Sequence, residues 1–165
     1  MQKDLDRILL SRHAISERVA ALAADIAADF ESQEEDAELV VIPVLTGALI
    51  FVADLMRNLP HRLRIDFMDA SSYPGKATRS LGEVSISAAP RHLEGRDVLI
   101  IDDILDSGRT LTAIRGAIAE HNPRSIRSCV LLRKSTAAAL DVACEYVGFD
   151  TVSYTHLTLP TTPYV

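Results

Sequence analysis

Apolar and polar positions divide the chain into alternating helix-like and strand-like stretches. Ile15, Val19, Leu22, Ile26 and Phe30 recur at steps of 4, 3, 4 and 4, which is one face of a helix. Ser11 stands where a cap belongs, so the spacing predicts a helix from there to about Phe30. Glu31 to Glu38 is acidic and reads as a loop. Leu39 to Val44 is short, continuously apolar and β-branched, the pattern of a strand covered on both faces. Thr46-Gly47 breaks it, and Ala48 to Arg57 follows as a buried helix stopped ahead of Pro60. Leu63 to Met68 reads as a strand, Ser71 to Ser80 (SSYPGKATRS) as a polar turn-rich loop, and Glu83 to Ser87 as another strand. Val98 to Ile101 is a second fully apolar strand that ends in Asp102-Asp103. Arg109 to Glu120 is helical, with Leu111, Ile114 and Ile118 on one face, and stops at Asn122-Pro123. Ile126 to Leu132 and Tyr146 to Phe149 complete the set as strands. Strands alternating with helices imply parallel crossovers and a covered sheet, so the expected class is α/β in one domain, residues 1–165.

Composition narrows the function. The 165 residues are 48% hydrophobic, enough for one core and too few for two full domains. Lys and Arg number 17 against 23 Asp and Glu, a net charge of −6. A general nucleic-acid binder should be basic, so that class is excluded as a partner, whereas a locally positive site for a small anion is not. The start, MQKDLDRILL, lacks the apolar centre of a signal peptide. The richest apolar run, Leu39 to Met56, is interrupted by Pro43, Thr46, Gly47 and Asp54, so no membrane partner is expected. Cys129 and Cys144 lie in apolar stretches without metal-ligand spacing and read as buried reduced thiols, which points to the cytoplasm. The five histidines are scattered and read as surface residues.

Ligands of open α/β sheets sit beyond the C-terminal ends of the strands. Three segments fall there: Leu45-Thr46-Gly47, Asp102 to Thr110, and Arg133-Lys134. The second, within VLIIDDILDSGRTL, is the most informative. A lone Asp-Asp pair would be no more than a solvated rim. Here a strand, two acids, a third acid, Ser-Gly and a helix follow in order. Small and hydroxyl residues at a helix start offer free amides and the positive end of the dipole to a phosphate. Carboxylates beside it suit a hydroxyl-rich sugar or a hard cation such as Mg²⁺.

VLIIDDILDSGRTL resembles the phosphoribosyl pyrophosphate motif of type I phosphoribosyltransferases. VIPVLTGALIFVADLMRNLP, SSYPGKATRSLGEV and LLRKSTAAALDVACEYVGFD narrow the likeness to the hypoxanthine (hypoxanthine-guanine) phosphoribosyltransferases, in family order from about Leu39 to Asp150. The resemblance implies a parallel-sheet core with helices on both faces and a small hood, incomplete in this chain. It implies purine salvage: transfer of 5-phosphoribosyl from phosphoribosyl pyrophosphate to N9 of hypoxanthine or guanine, with Mg²⁺ and a homodimer or homotetramer. The other reading is a non-catalytic nucleotide-binding or regulatory homologue.

Residue by residue, the resemblance assigns Asp106, Ser107, Gly108, Arg109 and Thr110 to the 5′-phosphate cradle. Asp102 and Asp103 are assigned to the ribose hydroxyls and the metal site. Asp106 is also the implied general base at purine N7, although an acid at a helix entry is favoured by the dipole in any case. Leu45, Thr46 and Gly47 match the pyrophosphate loop, with uncharged Thr46 where members commonly carry lysine. Lys134 matches the donor to the 6-oxo group, and by itself it is a surface lysine at a strand end. Lysine has donors only, which disfavours adenine. Ser72 and Tyr73 match the mobile lid, and by themselves they are loop residues. After Asp150 the family pattern gives way to TVSYTHLTLPTTPYV. That tail has no charged residue, and none of it matches the family's purine-stacking aromatic, metal-supporting Asp or pyrophosphate-binding Arg. Weak catalysis is therefore expected of this chain.

Overall fold

The computed structural model describes residues 10–30, 38–45, 47–68, 70–71, 85–86, 90 and 92–151. In chain order the elements are α1 (Arg12–Asp29), β1 (Glu38–Pro43), α2 (Leu49–Asn58), β2 (Arg62–Ile65), β3 (Ala70–Ser71), β4 (Ser85–Ile86), β5 (Asp97–Leu105), α3 (Arg109–Ala119), β6 (Ser125–Lys134), α4 (Ala137–Leu140) and β7 (Tyr146–Thr151). Ser11 caps α1 as its position predicts, accepting a hydrogen bond from the Ala14 amide at 3.1 Å.

Five strands form one sheet in the order β2-β1-β5-β6-β7, every pair parallel. The continuous apolar runs are explained by its two covered faces. Leu39 and Val41 of β1, with Leu99 and Ile101 of β5, pack under α1 and α2 against Val19, Leu22, Ile26, Phe51 and Leu55. Their alternating neighbours Val40, Ile42, Val98 and Ile100 face the other way, against Leu111, Ile114 and Ile118 of α3. Period-two side chains thus feed two cores at once. Each fully buried Leu or Ile contributes about 1.5–3 kcal/mol by leaving water.

α1 is part of one of these layers and is fastened to the edge strand β7 by polar groups as well. The Arg18 guanidinium donates to the carbonyls of Gly148 at 2.8 Å and Val147 at 2.6 Å. The Tyr146 hydroxyl donates to Asp29 at 2.8 Å, and Arg127 pairs with Asp29 while lying 4.6 Å over the Phe30 ring. The parts expected of a hood beyond this helix, residues 1–9 and 152–165, lie outside the described residues.

Both cysteines are free, and burial pushes both thiols up, Cys144 to about 11. This agrees with inert reduced thiols. Among the described histidines, His13 and His92 are exposed as expected, whereas His61 and His121 are half-buried, and the His61 Nε2 is enclosed with no hydrogen-bond partner among the described residues. Among the described residues no helix is long and apolar enough to cross a membrane.

Candidate active site

Counting only the strands of the main sheet, the order is 2-1-3-4-5. The direction of winding reverses between β1 and β5, and in open α/β sheets such a reversal is where ligands bind, beyond the strand ends. The loop leaving β1 and the acids of β5 meet at that point. A Cβ built on Gly47 would lie 2.3 Å from the Asp103 Oδ2, so only glycine lets the loop backbone approach the carboxylate this closely. Leu45, two residues earlier, is exposed, and Thr46 lies outside the described residues.

β5 runs further than its apolar stretch suggests. Pairing with β6 continues through Asp102↔Val130, Ile104↔Leu132 and Leu105↔Arg133, so both acids sit on the strand rather than after it. Asp102 accepts a hydrogen bond from the Asp103 amide at 2.9 Å. Burial, with the neighbouring Asp103 charge added, pushes the Asp102 carboxyl up to about 7. A half-buried carboxylate pair of this kind is the arrangement that a cation or a set of sugar hydroxyls would relieve.

The chain then turns into α3. Asp106 and Ser107 are exposed, and Gly108 sits at the helix N-cap with φ of 73°. That left-handed conformation favours glycine, and a Cβ there would also come within 2.2 Å of the Val142 side chain. Among the described residues no side chain caps α3, which leaves its first-turn amides available to an anion, with Arg109 exposed and Thr110 half-buried beside them.

Lys134 at the end of β6 reaches across to this turn. Its Nζ pairs with the Asp106 Oδ2 at 2.7 Å, bringing together the two residues implied to read the purine edge. Its neighbour Arg133 points elsewhere and makes two hydrogen bonds to Asp150 on β7, at 2.7 and 3.2 Å. Arg133 therefore fastens the edge strand, a role that the sequence alone does not reveal. The short helix α4 also escapes a periodicity search, although Thr136 ahead of three alanines is a readable cap, and its hydroxyl does accept from the Ala139 amide. Ser72 and Tyr73 lie outside the described residues. The antiparallel pairs Ala70↔Ile86 and Ser71↔Ser85 bracket the loop that carries them.

Comparison with known proteins agrees with this geometry. Residues 7–158 match the phosphoribosyl transferase domain family. A hypoxanthine-guanine phosphoribosyltransferase of Mycobacterium tuberculosis is 42% identical over 150 residues, covering 89% of this chain and 74% of that protein. Its counterpart from Bacillus subtilis is 38% identical over 151 residues, covering 91% and 81%. Among solved structures, a hypoxanthine phosphoribosyltransferase from Staphylococcus aureus superposes with a TM-score of 0.80 at 34% identity, covering 93% of this chain and 81% of that one. A Trypanosoma cruzi enzyme in complex with IMP gives 0.80 at 30% identity, covering 92% and 80%. With likeness of this extent in both sequence and structure, the chain belongs to the phosphoribosyl transferase domain family, within its hypoxanthine-guanine group.

Proposed function

We propose that this protein transfers the 5-phosphoribosyl group of phosphoribosyl pyrophosphate to N9 of hypoxanthine or guanine, releasing IMP or GMP and pyrophosphate. The Lys134–Asp106 pair, 2.7 Å apart beside the uncapped start of α3, carries the reading. Lysine donates to the 6-oxo group while the carboxylate accepts the N7 proton, and these two atoms lie side by side on one edge of a 6-oxopurine. Adenine offers an amino group to a residue that can only donate, and is refused.

The remaining roles are those that the family likeness implies. The α3 amides, Ser107, Gly108, Arg109 and Thr110 hold the 5′-phosphate. Asp102 and Asp103 accept from the ribose 2′- and 3′-hydroxyls. Leu45, Thr46 and Gly47 take the pyrophosphate, with backbone amides and the Thr46 hydroxyl as donors. As N9 attacks C1′ and pyrophosphate departs, positive charge develops on the sugar and the N7 proton becomes more acidic. Asp106 then removes it, which needs a positioned acceptor rather than a strong base. Closure of the loop bearing Ser72 and Tyr73 excludes water from that sugar centre.

The donor set fits Mg²⁺. Asp102 and Asp103 supply oxygen only, and the raised Asp102 carboxyl marks negative charge that a cation would neutralise. Mg²⁺ is commonly held by one or two carboxylates together with substrate phosphates, and the bound ion would offset charge on the departing pyrophosphate. The protein acts as a homodimer or homotetramer in the cytoplasm, with no nucleic acid or membrane involved.

The test is a steady-state assay with phosphoribosyl pyrophosphate, Mg²⁺ and each of hypoxanthine, guanine, xanthine and adenine. Transfer to hypoxanthine or guanine and none to adenine is expected. Absence of transfer to every 6-oxopurine, even at enzyme concentrations matching substrate, overturns the reading.

A further inference from the structure

The segment after Lys134 has no part in the reaction as described, yet it is held against the phosphate cradle at two further places. Val142 lies directly over Gly108, where a Cβ would come within 2.2 Å of it. The Thr136 hydroxyl donates to the main-chain carbonyl of Asp106 at 3.2 Å and accepts from the Ala139 amide at 3.2 Å. That one group therefore ties the start of α4 to the turn that carries the base acid. α4 is itself anchored: Ala139 is fully buried in the cluster that contains Leu105 and Leu111.

The main chain at Asp106 needs such a tie. Leu105↔Arg133 is the last rung of the β5–β6 ladder, so Asp106 is the first residue beyond it, two positions ahead of a left-handed glycine. In the structure its carboxylate is also held by Lys134. When a 6-oxopurine enters, Lys134 must turn to the base, and that restraint is given up during the step that needs it. The Thr136 bond goes to the carbonyl rather than the carboxylate, so it persists.

We propose that Thr136 is a positioning residue for the transfer. Its hydroxyl holds the Asp106 backbone to the base-recognising segment, so that the acid taking the N7 proton and the lysine reading the 6-oxo group keep a fixed separation while substrate is bound. The inference rests on the transferase reading above.

Thr136→Val removes both hydrogen bonds at nearly constant volume, and Thr136→Ser keeps both. At a temperature where the variants are folded, kcat at saturating substrates should fall about tenfold in Thr136→Val, in keeping with the sensitivity of catalysis to small misplacements. KM for phosphoribosyl pyrophosphate and affinity for IMP should stay within about threefold, and Thr136→Ser should recover most of kcat. Thr136→Asp still caps Ala139 but has no proton for the Asp106 carbonyl. It serves where Thr136→Val does not fold, and it should lose kcat at both low and high salt. Normal kcat in folded Thr136→Val or Thr136→Asp, or equal losses in the Ser and Val variants, overturns the proposal and leaves the transferase reading standing. If the parent chain transfers nothing, the transferase reading falls and amide exchange decides the tie. Thr136→Val, or Thr136→Asp in its place, should speed exchange at residues 106–108 and not at 98–101, and unchanged exchange there overturns it.

Discussion

At its first residue β5 carries Asp97, and five residues on it carries Asp102. Both are aspartates on one parallel strand, and their surroundings differ in sign. Burial alone would raise the Asp97 carboxyl. Hydrogen bonds from Arg124 and Ser125, with the charges of Arg124 and Arg127, outweigh it and hold Asp97 below the usual carboxylate range. The Arg124 Nε lies 3.1 Å from both Asp97 oxygens, and the Ser125 hydroxyl donates at 2.6 Å. Nearby, Arg96 pairs with Glu38, and Arg115 bridges Ser128 and Glu145. At the other end Asp102 is raised by burial and by a second acid. The start of the strand is thus compensated by its own protein, whereas at its end a second acid stands where the start has cations. A binding site on this fold can be told from a structural ion pair by which end leaves its acids uncompensated.

The comparison is broken most severely at Asp106. Asp106→Asn keeps the cradle amides and removes the proton acceptor, so kcat should fall by roughly 10²–10⁴-fold while affinity for phosphoribosyl pyrophosphate changes little. Near-normal turnover would move the general base elsewhere. Lys134→Ala comes next. Loss of a charged hydrogen bond of about 1.5–3 kcal/mol should weaken IMP binding by roughly 10–150-fold. Binding of ribose 5-phosphate, which reaches the cradle and the ribose acids but carries no base, should be spared. Equal losses for both ligands would show that Lys134 acts through the turn and not on the base.

Much of this contrast is legible in the sequence, for identifiable reasons. Continuous apolar runs at Leu39–Val44 and Val98–Ile101 announce strands buried on two faces, and the Asp-Ser-Gly turn announces a helix start open to phosphate. The apolar pattern ends β5 four residues early, because charge at Asp102 and Asp103 interrupts it. Ladder bonds to β6 are made by backbone and ignore that charge, so the strand continues to Leu105. The contacts of Gly47 with Asp103, Val142 with Gly108 and Arg133 with Asp150 join residues distant in sequence. No local period encodes them; they follow from strand order and register. α4, at four residues, is too short to show a helical period at all.

A smaller perturbation tests the meeting of the two loops at the switch point. Gly47→Ala places a methyl group 2.3 Å from the Asp103 Oδ2, so either the loop or the carboxylate must move. kcat/KM should drop about tenfold, since displacement of a positioned group is felt in the rate before it is felt in stability. Tm should change by no more than a few degrees. An unchanged kcat/KM would mean that the approach of Gly47 to Asp103 has no part in the reaction.

The mildest effects are on stability, and they should have opposite signs at the two ends of β5. A carboxyl held low in the folded state contributes stability that is present above its unfolded value, near 3.9, and is lost as pH falls through the folded one. Asp97→Asn should therefore lower Tm at pH 7, and the difference from the parent should shrink on acidification toward pH 3. A carboxyl raised in the folded state does the reverse. Between its unfolded value and about 7, the native form binds more protons than the unfolded chain, so stability falls as pH rises across that window. Asp102→Asn removes the cost of ionising a buried group and keeps the oxygen that accepts from the Asp103 amide. In metal-free buffer at pH 8 it should raise Tm by a few degrees, and the gain should vanish near pH 4. Thermal melts of the three proteins from pH 3 to 8, with chelator present, measure both slopes. If the two substitutions moved Tm in the same direction at pH 8, the two ends of β5 would not differ in the way their neighbours require, and the acids at the C-terminal end would be stabilising residues like Asp97.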